Sequence, residues 1–376
     1  MSEMSEMSEK PSLGTQVVHA GLAPAKQGQA FMQGPAFAST FHLSGEVDPG
    51  VHPYGRFHNP TWDALEAGIG ELEQGRTIIF PSGMAAGAAL MTALLAPGDC
   101  LLLPSDGYFA TRAYAENYLK KFGVIIKTVA TVDMLQQDFT GIKLVFVETP
   151  SNPLLDVIDI QALAAKVHAA NGILAIDNTT LTPLGQQPLL LGADISMCSD
   201  TKALNGHSDV VFGHVATPRE DLFAAMQLWR KLSGNIPGPM EAWLVHRGLA
   251  SLDLRLERMV NNAQVIAEYL AQHEKVVAIR YPGLSHDPSH QIASKQMHNF
   301  GFIISFDLGT QQAAQNFLNA SKLIFEATSF GGLHSIAERR ARWGTDNVSP
   351  GLIRLSVGCE RVKDLLADIE AALAQA

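Results

Sequence analysis

The stretch CSDTKALNGHSD, residues 198–209, sets one lysine among small hydroxyl and glycine residues directly after an apolar run. A lysine is usually a solvated, protonated residue of the surface. When it is held in a semi-buried site, it can lose its proton and attack a carbonyl as an amine. Ser199 and Thr201, on either side of this turn, offer hydroxyls to an anion. The stretch therefore favours Lys202 as the amine that reacts with a phosphate-bearing aldehyde cofactor.

The composition is that of a large globular chain. Its 376 residues are 47% hydrophobic, which suffices for a large core and suggests two or three domains. The net charge of -10 disfavours a nucleic acid or an anionic membrane as partner, because both require clustered basic residues. No window approaches the length of a membrane span. We therefore predict a small-molecule partner, with no nucleic-acid and no membrane partner.

The cysteines indicate the compartment. The chain has an odd number of cysteines, and they are widely spaced and set in apolar runs: Cys100, Cys198 and Cys359. This pattern predicts reduced thiols and a cytoplasmic location. None has the spacing of metal ligands, so no metal site is predicted. The opening Met-Ser-Glu repeat, residues 1–10, lacks the apolar segment of a signal peptide and is expected to be a frayed or artificial tail.

Short apolar strands alternate with helical patterns along most of the chain, for example at 144–147 and 173–176. This alternation predicts an α/β fold with a mostly parallel sheet, whose ligands bind at the carboxyl ends of the strands. We predict an N-terminal arm over residues 1–50, an α/β cofactor-binding domain over 51–240, and a smaller C-terminal α+β domain over 241–376.

The sequence also predicts the local structure of three segments. Residues 11–50 have little periodicity and are expected to form an extended arm. The pattern from Tyr108 to Lys121 predicts one helix, and residues 240–270 predict one long helix that links domains.

Charged side chains at strand ends suggest the cofactor. Asp177 follows the strand at 173–176. An Asp there commonly caps a helix or forms a turn, but it can also pair with a pyridinium nitrogen. With Lys202 at a second strand end, a pyridoxal phosphate site becomes a coherent hypothesis. The turn before Gly83 and Met84 opens a helix whose free backbone N–H groups can bind a phosphate.

Other residues allow two interpretations each. Tyr108 is either a packed aromatic or a platform for a flat cofactor. Tyr54 and Arg56 form either a turn with a solvated arginine or a phosphate clamp. Arg354 lies inside an apolar strand, where its charge needs a partner. That partner is either a structural carboxylate or, as we favour, the carboxylate of a substrate.

Several motifs together resemble the cystathionine γ-synthase, β-lyase and γ-lyase group, the Cys/Met-metabolism enzymes that use pyridoxal phosphate. The resemblance covers nearly the whole chain, from about residue 18 to residue 358, and implies the aminotransferase-like fold of type I. The motifs are YGRFHNPT at 54–61, SGMAA at 82–86, ETPSNPL at 148–154, DNT at 177–179 and TKALNGHSDV at 201–210.

The resemblance implies a role for each matched residue. Lys202 would bind the cofactor and shuttle protons, Asp177 would hold its ring nitrogen, and Tyr108 would stack on its ring. The phosphate would be bound by Gly83, Met84, Ser199 and Thr201, joined by Tyr54 and Arg56 of a neighbouring subunit. The substrate amino acid would be held by Asn152, Thr328, Ser329 and Arg354. The family also suggests a homotetramer built from active dimers.

Three features depart from the family pattern. Thr328 stands where family members carry a glutamate, a tyrosine or an aliphatic residue linked to reaction choice. His334 replaces an expected glutamate, and the arginine-rich run 339–342 replaces a familiar stretch.

We predict a carbon–sulfur lyase that cleaves cystathionine by γ-elimination to cysteine, 2-oxobutyrate and ammonia. The alternatives are cystathionine γ-synthase, which makes the C–S bond by γ-replacement, cystathionine β-lyase and methionine γ-lyase. Two other classes stay open, a catalytically idle regulatory module that binds pyridoxal phosphate and an aminotransferase on a related fold.

Overall fold

The computed structural model describes residues 11–376. The opening Met-Ser-Glu repeat, for which we expect a tail, lies outside the described residues. Within the described part of the chain, no helix combines the length and the apolar character that crossing a membrane requires.

Seven strands form the larger sheet, in the order β1-β7-β6-β5-β4-β2-β3. β7 pairs antiparallel with β1 and β6, and the other neighbours are parallel, which confirms the predicted mostly parallel sheet. The strands are β1 Arg76–Phe80, β2 Cys100–Pro104, β3 Ile125–Val129, β4 Leu144–Glu148, β5 Ile173–Asp177, β6 Ile195–Cys198 and β7 Gly213–Thr217.

Both faces of this sheet are buried, which explains why its strands read as continuous apolar runs. In β4, Leu144 and Phe146 belong to one core cluster, and Val145 and Val147 belong to the cluster on the opposite face. The first nine helices are α1 Leu13–His19, α2 Pro60–Glu73, α3 Gly83–Leu94, α4 Phe109–Asn117, α5 Ile160–Ala169, α6 Thr182–Gly185, α7 Glu220–Ser233, α8 Pro239–Leu249 and α9 Leu252–Ala271.

Five strands form a second sheet, in the order β10-β11-β12-β9-β8. Only β10 and β11 pair in parallel, and helices α9, α11 and α12 contribute to its core. The strands are β8 Ala278–Arg280, β9 Ile303–Asp307, β10 Phe325–Glu326, β11 Ile336–Arg339 and β12 Leu352–Ser356. The remaining helices are α10 His290–Gln296, α11 Gln311–Ala320 and α12 Val362–Gln375.

Some local expectations are wrong. The expected extended arm contains α1, whose Val17 is buried against the core. The single helix expected over 240–270 is two helices, which meet at Ala250 and Ser251. The helix expected as far as Lys121 changes after α4 into a 3-10 helix, Leu119–Phe122. Two further 3-10 helices span Thr131–Gln136 and Arg340–Trp343.

The turn that carries Lys202 joins β6 to β7 and is anchored by Arg255 of α9. The buried Arg255 guanidinium donates to the carbonyl oxygens of Ala203, Leu204 and Gly248, at 2.6, 3.0 and 2.8 Å. Gly206 has φ +75°, and a Cβ there would lie 1.8 Å from Arg255 Nη1. Glycine is therefore required at this position, and α9 fixes the lysine turn on the sheet.

Replacing Arg255 with methionine should destabilise the protein, because three buried carbonyls would lose their donor. Each group left unsatisfied costs about 1–3 kcal/mol. We expect the midpoint of urea unfolding, followed by circular dichroism, to fall while the slope of the transition is kept. Arg247→Met, at an exposed position of α8, is the control and should leave the midpoint unchanged. An equal midpoint in Arg255→Met would mean that other contacts hold the turn.

Candidate active site

A cavity of about 450 Å³ lies at the carboxyl ends of the central strands of the larger sheet. Its second wall is formed by residues 328–330 and by Arg354 of β12. The cavity brings together these predicted site residues: Gly83, Met84, Tyr108, Asn152, Asp177, Ser199, Thr201, Lys202, Thr328, Ser329 and Arg354.

Lys202, the predicted cofactor-binding lysine, lines this cavity. Its Nζ donates to Ser329 Oγ at 2.7 Å and lies 5.0 Å from the centroid of the Phe330 ring. Burial and the positive charge of Arg354 lower the pKa of Lys202 to about 8. About a tenth of this lysine is therefore a neutral amine at pH 7, far more than for a solvated lysine with its ordinary pKa of about 10.4.

Two carboxylates end adjacent strands beside the lysine. Glu148 of β4 pairs in register with Asp177 of β5, so both side chains leave the sheet on the same side. Asp177 Oδ1 accepts hydrogen bonds from the Thr179 backbone N–H and hydroxyl. Burial raises the pKa of Asp177. Burial and the charge of Asp177 raise the pKa of Glu148 well above its ordinary value. The pair therefore repels, and Glu148 is the carboxyl group that more readily keeps a proton.

The amino end of α3 forms the anion-binding end of the cavity. Ser82 caps this helix, with its hydroxyl accepting from the Ala85 N–H at 2.9 Å. The first N–H groups of a helix have no partner within the helix, so those of Gly83 and Met84 are available to a phosphate. A Cβ on Gly83 would lie 2.5 Å from the Cβ of Ser199. The glycine is therefore what lets the lysine turn approach the helix.

Thr201 lines the cavity, but its hydroxyl is already engaged. Thr201 Oγ1 donates to the Phe212 carbonyl at 3.1 Å and accepts from the Phe212 N–H at 2.9 Å. These bonds fasten the lysine turn to the strand that follows it. To donate to a phosphate, the hydroxyl would have to give up its bond to the carbonyl.

Arg354 forms the far side of the cavity. It is buried, and its Nη1 donates to Asn152 Oδ1 at 2.8 Å. Its Nη2 donates to the Ser329 carbonyl at 2.9 Å and to Glu338 Oε1 at 2.6 Å. Arg354 Nε is buried without a hydrogen-bond partner among the residues that the structure describes. The guanidinium thus has a structural carboxylate partner and also a free donor, so the two interpretations offered for it above are compatible.

Tyr108 stands at the start of α4. Its backbone N–H donates to Glu148 Oε2 at 3.1 Å. Burial and the charge of Glu148 raise the pKa of Tyr108. The phenol therefore keeps its proton near neutral pH and is a proton donor in this arrangement.

Of the three departures from the family pattern, two lie at the cavity wall and one lies away from it. Thr328 Oγ1 is 3.5 Å from Glu338 Oε1 at the cavity wall. Arg340, within the arginine-rich run, also lines the cavity. Its guanidinium is held by Glu338 and Asp346. His334 packs against Phe325 in a neighbouring cavity, away from the lysine.

Tyr54 and Arg56 do not line this cavity. The Arg56 guanidinium donates to the Lys231 carbonyl and lies over the rings of Tyr54 and Phe57. Tyr54 is 38% exposed. Within one chain these two residues are therefore apart from the other predicted phosphate ligands.

The site contains residues to which the sequence analysis assigned no role. Glu148 could have been found, because it ends a buried strand as Asp177 does. Glu338 pairs with Arg354 only through the register of β11 and β12, and no local signal in the sequence gives that register. The Phe330 ring lies close to both cationic groups, with its centroid 5.0 Å from Lys202 Nζ and 5.2 Å from Arg354 Cζ.

This set of residues fits pyridoxal phosphate. A helix terminus with Ser199 can hold a phosphate, a buried carboxylate can hold a protonated ring nitrogen, and an amine of lowered pKa lines the same cavity. The Arg354 guanidinium at the cavity wall adds a group that can bind the carboxylate of an amino acid.

Known proteins share this architecture. A Streptomyces coelicolor protein with the provisional name cystathionine γ-lyase is 47% identical, over 96% of this chain and 94% of its own length. The cystathionine β-lyase of Lactococcus lactis subsp. cremoris is 39% identical, over 96% of this chain and 99% of its own length.

Solved structures agree with this comparison. The cystathionine γ-synthase of Xanthomonas oryzae pv. oryzae, solved in complex with cystathionine, superposes with a TM-score of 0.92 at 34% identity, over 98% of this chain and 99% of that chain. The predicted type I fold is thereby confirmed. The model of the family described as "Cys/Met metabolism PLP-dependent enzyme" matches residues 14–374. Since that match spans both sheets and the cavity between them, the chain belongs to the pyridoxal-phosphate-dependent enzymes of cysteine and methionine metabolism.

Proposed function

We propose that this enzyme cleaves cystathionine by γ-elimination, releasing cysteine, 2-oxobutyrate and ammonia. Family membership confirms pyridoxal phosphate as the cofactor and cystathionine-type amino acids as the substrate class. The relatives include lyases of both kinds and synthases, so the bond that is cleaved is our proposal. The choice of γ-elimination is supported by the 47% identity to the Streptomyces coelicolor protein provisionally named as a cystathionine γ-lyase. The proton transfers are assigned to Lys202, an amine with a pKa of about 8 that lies 2.7 Å from Ser329 Oγ.

Substrate binding begins at Arg354. Arg354 lines the cavity and its guanidinium would receive the α-carboxylate, while Glu338 and Asn152 hold that guanidinium in place. Ser329 has φ +83°, a left-handed conformation that is uncommon for a residue with a side chain. That backbone lets its carbonyl meet Arg354 and its hydroxyl meet Lys202.

Lys202 moves the protons. When bound, pyridoxal phosphate supplies an electron-withdrawing ring that makes the α-proton of the substrate removable. Neutral Lys202 Nζ is placed to take that proton, with Ser329 Oγ orienting the amine. Cleavage at Cγ then requires removal of a second proton, from Cβ, which the same amine would take after passing the first proton on to the bound cofactor. The protonated Tyr108 hydroxyl is available to give a proton to the departing sulfur.

We also propose an assembly. Tyr54 and Arg56, which lie apart from the cavity of their own chain, would complete the phosphate site of a neighbouring subunit in a cytoplasmic homotetramer of active dimers. The free thiols of Cys100, Cys198 and Cys359 suit a reducing compartment. The domain limits at about residues 50 and 240 remain part of this proposal, and the two sheets fall on either side of residue 240.

The product assay tests the proposed reaction. The holoenzyme is incubated with L-cystathionine, and the released 2-oxo acid and thiol are identified by chromatography and mass spectrometry. We expect 2-oxobutyrate, cysteine and ammonia without added 2-oxo acid, since elimination needs no amino acceptor. Pyruvate with homocysteine would instead establish β-elimination. Turnover only in the presence of a 2-oxo acid would establish transamination.

Arg354→Ala should mainly raise the KM for cystathionine. Loss of one partner of a buried charge pair weakens binding by about 2–5 kcal/mol. Arg342→Ala is the control, because this more exposed arginine pairs with Glu326 outside the cavity. Steady-state kinetics of both variants, after circular dichroism has shown that they fold, provides the measurement. A KM equal to that of the wild type would remove Arg354 from the substrate site.

The lowered pKa of Lys202 predicts how cofactor binding depends on pH. Only the neutral amine attacks an aldehyde, so the rate at which apoenzyme binds pyridoxal phosphate should rise with pH around 8. Arg354→Met removes a positive charge that lowers this pKa and should move the midpoint to higher pH. Arg361→Met, remote from the cavity, should not. Stopped-flow absorbance gives the rates, and a midpoint near the ordinary lysine value of about 10.4 in the wild type would contradict the assignment.

A further inference from the structure

We propose that Glu73, Cys198 and His214 form a buried site for one divalent metal ion of the zinc type, with Asp200 orienting the histidine. This inference goes beyond the proposed function, in which none of the four residues takes part. They lie behind the lysine turn, on the side away from the cavity residues, and all four are buried.

Three structural elements bring the ligands together. Cys198 ends β6 and pairs in register with His214 of the antiparallel β7, so both side chains lie on the same face of the sheet. Glu73 is the last residue of α2 and reaches them from the helix that covers this face. Thiolate, imidazole and carboxylate are the ligand types that zinc prefers.

The distances suit a tetrahedral ion. Glu73 Oε1 lies 3.2 Å from His214 Nε2 and 3.9 Å from Cys198 Sγ, and all three ligand atoms lie within 4.8 Å of one another. In a tetrahedral site with ordinary zinc bond lengths, nitrogen and oxygen are about 3.3 Å apart and sulfur and oxygen about 3.5 Å apart. Shifts of a few tenths of an ångström would therefore close the set around a common centre.

Asp200 supplies the outer partner that such a histidine requires. His214 Nδ1 lies 2.7 Å from Asp200 Oδ1, while Nε2 faces Glu73. A carboxylate on the second ring nitrogen fixes the tautomer that leaves the first nitrogen free to bind metal. Because Asp200 is two residues before Lys202, an ion here would also brace the lysine turn from behind.

Two buried oxygens of the cluster remain unused among the described residues, Glu73 Oε2 and Asp200 Oδ2. Glu73 Oε2 has no hydrogen-bond partner among residues 11–376, although it is fully buried. Glu73 also lies at the carboxyl end of α2, where the helix dipole disfavours a negative charge. A metal bound by the Glu73 carboxylate through Oε1 would lie close to Oε2 as well and would offset the charge.

Binding of the ion has a simple proton balance. The Cys198 thiol proton and the proton on His214 Nε2 leave to solvent, and bonds form from Sγ, Nε2 and the Glu73 carboxylate to the metal. No electron is transferred. Without a metal, His214 would instead be an imidazolium between two carboxylates. The experiment must distinguish this metal-free arrangement from the metal-bound one.

The experiment measures zinc in the holoenzyme. Because the ligands are fully buried, the ion has to enter during folding, so cells are grown with added zinc and the full chain is purified without chelator. We expect about one zinc per chain by mass spectrometry of the elements, and X-ray absorption should show one sulfur at about 2.3 Å. Cys198→Ser should remove that sulfur signal, and His214→Gln should lower the zinc content at least tenfold.

Two controls identify the source of any metal. Cys100→Ser removes a buried thiol outside the cluster, and His58→Gln disrupts the other group of possible ligands, His52, His58 and Asp63. Both variants should keep the zinc. Wild-type holoenzyme with less than about a tenth of an equivalent would overturn the proposal, as would zinc lost in His58→Gln and kept in His214→Gln. If the cluster variants fail to fold, the sulfur signal of the wild type decides.

Discussion

The structure depends on holding one primary amine inside the folded chain at a lowered pKa. Burial disfavours the charged form of Lys202, and the Arg354 guanidinium adds a like charge. The fold supplies both the burial of Lys202 and the positive charge beside it. A turn between two strands carries the lysine into the space between the sheets, and the second sheet presents the arginine from the opposite side.

Placing an arginine beside a lysine requires compensation. Glu338 lies between Arg354 and Arg340 and accepts from both, at 2.6 and 2.7 Å. It offsets one of the two guanidinium charges, and Asp346, which pairs with Arg340, offsets the other. The carboxylates on the other side, Glu148 and Asp177, come from neighbouring strands of the larger sheet. Each sheet therefore brings charge of both signs to the cavity between them.

The errors of prediction have a common origin. Residues 11–50 lack periodicity because most of them meet no core, yet Val17 finds one and its short segment becomes helical. The helical pattern over 240–270 runs across the junction at Ala250 because both helices bury apolar faces. In both cases a packing partner distant in sequence decided the outcome.

Thr201 stays a predicted phosphate ligand, although its hydroxyl is already bound to the backbone of Phe212, just before β7.

The sequence by itself determined the class of fold and the cofactor, and it pointed to about half of the residues that line the cavity. Strand ends are visible as breaks in apolar runs, and the parallel strands of an α/β sheet bring those ends to one edge. It could not determine which side chains face one another across that edge. The pairings of Glu338 with Arg354, of Lys202 with Ser329 and of Cys198 with His214 depend on strand register and on the packing of the two sheets. Each pairing joins residues from different structural elements. Tertiary structure alone decides these pairings, because the register of a strand is set by which of its faces is buried in the assembled core.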